Sequence, residues 1–250
     1  MKLSSTERRL LETQRAWRDA AQSMRVGPFR ITPTSGGRLP GKDDRQIVLI
    51  PSFTYGSGGN QLTQLALSQV PDLVSKLDRR RDRVLDLGCG SGVLAIACAK
   101  LGLERVDALD ISRAALRATR RNAALNGVDV TLMTRLSAKR RYKLVIANLL
   151  ERPFVEYASS FKTILAPDGL LYAGCFDPKL VPLYYRHGLE ITDVKHTGGW
   201  KAFLWRRAPD REDQRSSGRG RPRGNTGPVL TLRTSAPPRS DVLDGSDRGP

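Results

Sequence analysis

A cluster of glycines directly follows a short apolar segment near the middle of the chain. Residues 84–92 read Val-Leu-Asp-Leu-Gly-Cys-Gly-Ser-Gly, so that segment runs into Gly88, Gly90 and Gly92. Glycines after a strand permit a tight turn and let a ligand lie against the backbone at the N-terminus of the next helix. The pattern predicts a strand–turn–helix ligand site, and a dinucleotide-binding turn is the competing interpretation.

Asp86 separates the two interpretations because its carboxylate lies in the approach to the turn. A carboxylate there repels a pyrophosphate but accepts hydrogen bonds from an ammonium group. We therefore expect a ligand with a positively charged amino-acid end and no phosphate, which fits S-adenosylmethionine. Cys89, inside the turn, is expected to be a small filler and not a nucleophile.

Two more polar residues follow apolar segments. Asp110 comes about 20 residues after the turn, where an acid at the end of a strand accepts both hydroxyls of a ribose. The alternative for Asp110 is a helix N-cap, but the spacing favours ribose binding. Asn148 follows the apolar segment 142–147 and should face the crevice outside the sheet, with a loop cap as its alternative.

The elements that must position these residues alternate regularly from residue 83 onward. Strands are predicted at 83–87, 106–109, 128–133, 143–147, 169–173, 189–194 and 201–205, and helices at 92–101, 113–126, 152–165 and 178–186. Such alternation predicts an α/β fold with a mostly parallel seven-stranded sheet and helices on both faces. Only Thr197-Gly-Gly separates the last two strands, so they should form an antiparallel hairpin at the edge.

Upstream of this region the pattern is less regular. A helix is predicted over 4–24, ended by Gly27-Pro28, and a connector over 32–42. A strand at 47–50, a glycine loop at 51–60 and a helix at 62–77 follow. We expect an N-terminal helix and connector at 1–45, a catalytic domain at 46–207 and a disordered tail at 208–250.

Composition limits the class of protein. The 250 residues carry 42 Lys and Arg against 25 Asp and Glu, a net charge of +17. The tail from residue 208 contains six Gly, six Pro and five Ser, which is typical of disorder. With no apolar run near ~20 residues and no signal peptide, we expect a cytoplasmic protein without a membrane segment. Three widely spaced cysteines and two histidines predict no metal site.

The motifs together resemble class I S-adenosylmethionine-dependent methyltransferases, and most closely the bacterial ribosomal protein L11 methyltransferases of the PrmA type. The similar segments are 55–63, 86–97, 109–111, 121–127, 145–150 and 199–205. The resemblance covers roughly residues 45–207, and it implies a Rossmann-like class I methyltransferase fold. The loop at 55–63 and Ala-Asn-Leu-Leu at 147–150 are the parts that point to this branch.

The resemblance also implies roles for individual residues. Thr63, Gly88, Asp110 and Asn148 occupy cofactor-binding positions, and Asp86, Cys89, Gly90 and Ile111 lie beside them in the same motifs. Tyr55, Asn60 and Asn148 are expected to position the acceptor. The family's loop usually carries a His where Asn60 stands, and the matched motifs offer no catalytic base.

These similarities predict methyl transfer to a nitrogen acceptor, most readily a protein lysine or another amine. Methylation of RNA or a small molecule, and a non-catalytic cofactor-binding module, are the alternatives. About 45 residues precede the match, so we expect the family's N-terminal substrate domain to be missing. The densest excess of basic residues lies in 101–150, where RNA or ribosome contact is expected. A monomer is expected.

Overall fold

The computed structural model describes residues 23–34, 43, 45–50, 60–149, 151–174, 177–197 and 200–208. These residues lie in the first of two compact units, Met1–Pro209. The second unit, Asp210–Pro250, lies outside the described residues, as do the predicted tail from 209 on and the predicted helix up to residue 22.

A seven-stranded sheet forms the centre of the described structure. Its strands are β4 (Arg83–Leu87), β5 (Arg105–Leu109), β6 (Thr131–Met133), β7 (Tyr142–Asn148), β8 (Leu165–Gly174), β9 (Leu189–Thr197) and β10 (Trp200–Arg207). The order across the sheet is β6-β5-β4-β7-β8-β10-β9. Neighbours from β6 to β8 pair in parallel, whereas β10 is antiparallel to both β8 and β9. The predicted α/β fold with a C-terminal hairpin is confirmed.

Helices cover both faces of this sheet. They are α1 (Gln61–Val74), α2 (Val93–Lys100), α3 (Arg113–Leu125), α4 (Glu151–Ile164) and α5 (Val181–Arg186), the last preceded by a short 3₁₀ turn, Pro178–Leu180. One hydrophobic cluster joins α1 and α2 to one face, and a second joins α4 and α5 to the other. Within the described residues, no helix is both long enough and apolar enough to cross a membrane.

A second, three-stranded sheet precedes the large one. It contains β1 (Met24–Val26), β2 (Phe29–Pro33) and β3 (Gln46–Leu49) in that order. Here two sequence predictions are wrong: Met24 begins a strand instead of ending a helix, and Pro33 belongs to a strand instead of a connector. Gly27, with φ at +54°, forms the turn of the β1–β2 hairpin, a conformation that glycine adopts easily.

This small sheet is built into the core of the large one. Val26, Phe29 and Ile31 are buried in the same cluster as α1 and α2, whereas Arg30 between them is exposed. Strand β2 pairs in parallel with β3, with Arg30 opposite Gln46. The described residues before 46 therefore pack with those that follow.

Some element boundaries also differ from the predictions. Strand β8 begins at Leu165, directly after α4, whereas the sequence predicts helix up to 165 and strand from 169. The pairing register of β7 and β8 shifts between Tyr142 and Leu144. The segment that the prediction missed is therefore an irregular first part of the strand.

A buried carboxylate ties three strands together at the end of the sheet away from the glycine turn. Asp107 of β5 is fully buried and accepts hydrogen bonds from Arg83 (2.9 Å), Arg140 (2.7 Å) and the Tyr142 hydroxyl (2.9 Å). Burial of the Tyr142 ring and the hydrogen bond to Asp107 raise the pKa of Tyr142, so its hydroxyl stays protonated and donates. The cluster fixes the loop before β7 against the sheet.

Replacing Asp107 should therefore destabilise the fold. Asp107→Ala removes three hydrogen bonds and leaves the buried Tyr142 hydroxyl with only the weak acceptor Met133 Sδ, at a cost of about 3 kcal/mol in the free energy of unfolding. Asp168→Ala is the control, because Asp168 is an exposed partner of Lys143 and its loss should cost less than about 1 kcal/mol. Urea unfolding of both variants measures the difference, and equal losses would contradict the structural role of Asp107.

Candidate functional site

A cavity of about 1010 Å³ lies beyond the carboxyl ends of β4, β5 and β7. The strand order reverses between β4 and β7, which is where open α/β sheets bind ligands. The cavity is lined by parts of several elements: Ile50, the first turn of α1, the glycine turn, the start of α3, the end of β7, the first half of α4 and Trp200.

The glycine turn forms one wall and is held by the end of β5. The backbone N–H groups of Gly88 and Cys89 donate to the carbonyl oxygen of Leu109, at 2.7 and 3.0 Å. Gly88 and Gly90 have φ at +75° and +55°, in the left-handed region that favours glycine. Because these N–H groups bind β5, the turn has a fixed shape before any ligand arrives.

Asp110 directly follows β5 and lines the cavity. Its carboxylate accepts the N–H of Gly90 (3.0 Å) and the N–H of Ser112 (2.8 Å). The N-cap of α3 is Ser112, whose hydroxyl accepts from the Ala115 N–H, so Asp110 is not the cap. Ile111, next to Asp110, also lines the cavity and is 84% exposed.

Asp86 lies beneath the turn and is not among the lining residues. It is 1% exposed, and its carboxylate accepts the N–H of Ala95 in the first turn of α2 (3.0 Å). Burial raises the pKa of the Asp86 carboxyl to about 7; the negative charge of Asp110 adds to the rise, and the hydrogen bond from Ala95 opposes it. Its direct contact with a ligand ammonium stays a prediction.

Cys89 is also turned toward the protein interior, although it lines part of the cavity. Its Sγ lies 3.3 Å from the Thr119 hydroxyl, and its side chain is buried. Burial raises the pKa of the Cys89 thiol, so the thiol stays protonated at neutral pH. This geometry agrees with a filler and not with a nucleophile.

The opposite wall joins the first turn of α1 to the end of β7. Asn60 caps α1 by accepting the N–H of Thr63 at 2.7 Å. The Asn148 amide donates to the Thr63 hydroxyl at 3.3 Å. The Asn148 Oδ1 is buried without a hydrogen-bond partner within the described residues, where buried polar atoms are normally paired. Tyr55 lies outside the described residues.

The structure adds residues that the sequence interpretation missed. Tyr157 and Glu156 of α4 line the cavity, with Arg152, which forms an ion pair with Glu156 at 2.9 Å. Trp200 lines it too and is 44% exposed, whereas Trp205 of the same strand is buried. The two glycines that precede Trp200 in the sequence were the available signal.

Comparison with protein families gives a match over most of the chain. The family model for "Ribosomal protein L11 methyltransferase (PrmA)" matches residues 2–208, beginning well before the residues that carry the resemblance in the sequence analysis. The ribosomal protein L11 methyltransferase of Vibrio campbellii is 34% identical over 194 residues, which are 75% of this chain and 64% of that protein. The Geobacter sulfurreducens protein of the same name is 34% identical over 197 residues, 76% of this chain and again 64% of the relative.

Solved structures give a similar result. The ribosomal protein L11 methylase of Lactobacillus delbrueckii subsp. bulgaricus superposes with a TM-score of 0.63 at 28% identity, covering 74% of this chain and 98% of that one. A 16S rRNA methyltransferase from T. thermophilus shares the fold, with a TM-score of 0.54 at 17% identity over 64% of this chain and 46% of that one. The chain thus spans about two thirds or less of the curated relatives and nearly all of the Lactobacillus structure.

The buried Asp86 predicts a pH-dependent stability of the ligand-free protein. Its ordinary pKa of 3.8 is raised to about 7 on folding, so between these pH values the folded chain holds a proton that the unfolded chain has released. The free energy of unfolding should therefore fall from about pH 4 to about pH 7, by at most about 1.4 kcal/mol per pH unit from this group, and level off above.

Urea unfolding of wild type and Asp86→Asn across that range isolates the effect. The variant lacks the titrating group, so its free energy of unfolding relative to that of wild type should increase as the pH rises. Asp129→Asn, at an exposed position, is the matched control and should run parallel to wild type. Parallel curves for Asp86→Asn as well would show that Asp86 is ionised throughout.

Proposed function

The chain belongs to the ribosomal protein L11 methyltransferase (PrmA) family, and from this membership we propose that it is an S-adenosylmethionine-dependent methyltransferase acting on a protein amine. One observation carries the proposal: Asp110 and Asn148 line a single cavity next to the glycine turn, and the buried Asn148 Oδ1 has no hydrogen-bond partner within the described residues. The first suits ribose hydroxyls, and the second suits an N–H donor.

The residues around the turn fit the proposed cofactor. Residues 86–94 contain no Lys or Arg, and the Asp110 carboxylate places negative charge beside the turn. This charge disfavours a pyrophosphate and favours a ligand with an ammonium group. Asp110 would hold the ribose, Ile111 would pack against the base, and the backbone at Gly88–Gly90 would hold the amino-acid end.

The other wall would hold the acceptor. Bound S-adenosylmethionine supplies an electrophilic methyl group on a sulfonium, so the protein's main task is to orient the acceptor nitrogen. A lysine amine must first lose a proton, which costs about 4–5 kcal/mol at pH 7 from a reference pKa near 10.4. The Asn148 Oδ1 can accept one amine N–H and so direct the nitrogen, while Tyr157 and Trp200 offer aromatic faces to a cation.

Cofactor binding is tested by replacing Asp110. Asp110→Ala removes the proposed ribose contacts, each worth roughly 1.5–3 kcal/mol, so the affinity for S-adenosylhomocysteine should fall more than about tenfold. Calorimetric titration measures this affinity, and the melting temperature shows whether the variant is folded. Asp129→Ala, exposed and away from the cavity, should bind like wild type. An unchanged affinity in Asp110→Ala would contradict the proposal that Asp110 binds the ribose of the cofactor.

A second candidate, methylation of RNA, is favoured by one feature of α3. Arg113, Arg117 and Arg121 are exposed and recur every four residues, so they share one face of the helix. Helix α3 contains no acid, and none of the ion pairs between described residues involves these three arginines. Arg117 and Arg121 also line the cavity. Such a stripe attracts a polyanion to the cavity mouth.

A transfer experiment separates the candidates. Ribosomal protein L11, the substrate in the names of the relatives, and total cell RNA are each incubated with the protein and methyl-labelled S-adenosylmethionine. We expect label in L11, lost to protease and resistant to RNase, and recovered as N-methylated amine after hydrolysis. Label lost to RNase would support the second candidate, and cofactor binding without any transfer would support a non-catalytic module.

A further inference from the structure

Two asparagines, Asn122 in α3 and Asn126 at the C-cap of α3, hydrogen-bond to the edge of β3. Asn126 contacts Val48 twice, accepting its N–H at 2.8 Å and donating to its carbonyl oxygen at 2.7 Å. One helical turn earlier, Asn122 accepts the N–H of Ile50 at 2.9 Å. Four residues of helix rise about 6.0 Å, and two residues of strand about 6.6 Å, so the two spacings match.

Asn122 makes one further contact that Asn126 lacks. Its Nδ2 donates to the carbonyl oxygen of Ser91 at 2.8 Å, inside the glycine turn. The Asn122 side chain is fully buried, and its amide therefore joins Ile50 and Ser91 away from water. Thr119, one turn earlier in α3, binds the same turn by donating to the carbonyl oxygen of Gly90 at 3.1 Å.

These contacts connect two walls of the cavity. Ile50 lines it on one side, and Gly88, Cys89 and Gly90 line it on the other. Attachment of β3 to the helix is already provided by Asn126, whose contacts do not reach the turn. The additional hydrogen bond of Asn122 therefore links the glycine turn to Ile50.

We propose that Asn122 is a positioning residue that couples the glycine turn to the end of β3, so that cofactor held by the turn restrains Ile50. The inference rests on the proposed function, because it requires a ligand at the turn. Asn122 is also among the residues that line the cavity, but its amide oxygen and nitrogen bind Ile50 and Ser91, and in this account it acts through these two residues. Its role is to hold Ile50 at a fixed position relative to the glycine turn and the cofactor bound there.

Amide hydrogen exchange, resolved by NMR at Val48 and Ile50, tests the coupling. In wild type, saturating S-adenosylhomocysteine should slow exchange at Ile50. In Asn122→Ala, exchange at Ile50 should be about fivefold faster or more and should no longer respond to S-adenosylhomocysteine, because the link to Ser91 is gone. The affinity for S-adenosylhomocysteine should fall about three- to tenfold.

Asn126→Ala is the matched control on the same helix and strand. It removes two hydrogen bonds to β3, so exchange at Val48 should be faster, yet Ile50 should still respond to S-adenosylhomocysteine as in wild type. If Asn122→Ala does not fold, Asn122→Ser replaces it: the neutral hydroxyl keeps a polar group at this buried position but is too short to bridge Ile50 and Ser91. It too should abolish the response at Ile50.

The outcomes distinguish this inference from the proposed function. If wild type does not bind S-adenosylhomocysteine, the proposed function fails and the inference with it. If wild type binds but Ile50 responds equally in wild type and both Asn122 variants, only the coupling is overturned. The same holds if Asn126→Ala abolishes the response as fully as Asn122→Ala, because the link would then be general attachment of the strand.

Discussion

The docking of the glycine turn onto the end of β5 is the constraint on which the site depends. In the parallel pairing of β4 and β5, Leu87 lies opposite Leu109, so the residues that follow the two strands emerge side by side. Two N–H groups of the turn then bind Leu109, and the N–H of Gly90 binds the Asp110 carboxylate. Residues about 20 positions apart thus form one wall, because a parallel register brings the carboxyl ends of strands to the same edge.

Three acids on or after these two strands have different roles because of their depth in the sheet. Asp107, at one end, is fully buried but surrounded by Arg83, Arg140 and the Tyr142 hydroxyl. Asp86 is as deeply buried, yet its partner is a backbone N–H, and its pKa is raised. Asp110 lies at the mouth, where its carboxylate both holds the turn and faces the cavity. Of the three, only Asp110 is among the residues that line the cavity.

The large sheet could be predicted from the sequence because four of its five parallel strands, all except β6, are apolar runs followed by a helical pattern. The small sheet could not, since Gly27-Pro28 is equally typical of a helix end and of a hairpin turn. Strand β1 has three residues, too few to show a period of two. The pairing of β2 with β3 could not be predicted either, because the sequence between these two strands shows no periodic pattern.

The candidate site could be predicted in part for a similar reason. Gly88, Asp110 and Asn148 each follow a predicted strand, and the register of a parallel sheet brings such positions together. The depth of Asp86 depends on the packing of α2 against β4, which spacing along the chain does not reveal. Tyr157 and Trp200 come from a helix and a hairpin whose positions around the cavity are set by tertiary packing.

The asparagines of α3 show how packing between the two sheets reaches the site. Strand β3 has an edge whose N–H groups at Val48 and Ile50 need acceptors, and a helix normally offers none because its backbone groups bind one another. Two asparagine side chains, one turn apart, supply the missing acceptors. Because one of them also binds the glycine turn, the small sheet and the turn share a single buried contact. Ile50, which directly follows β3, and the glycine turn both line the cavity, and Asn122 joins them.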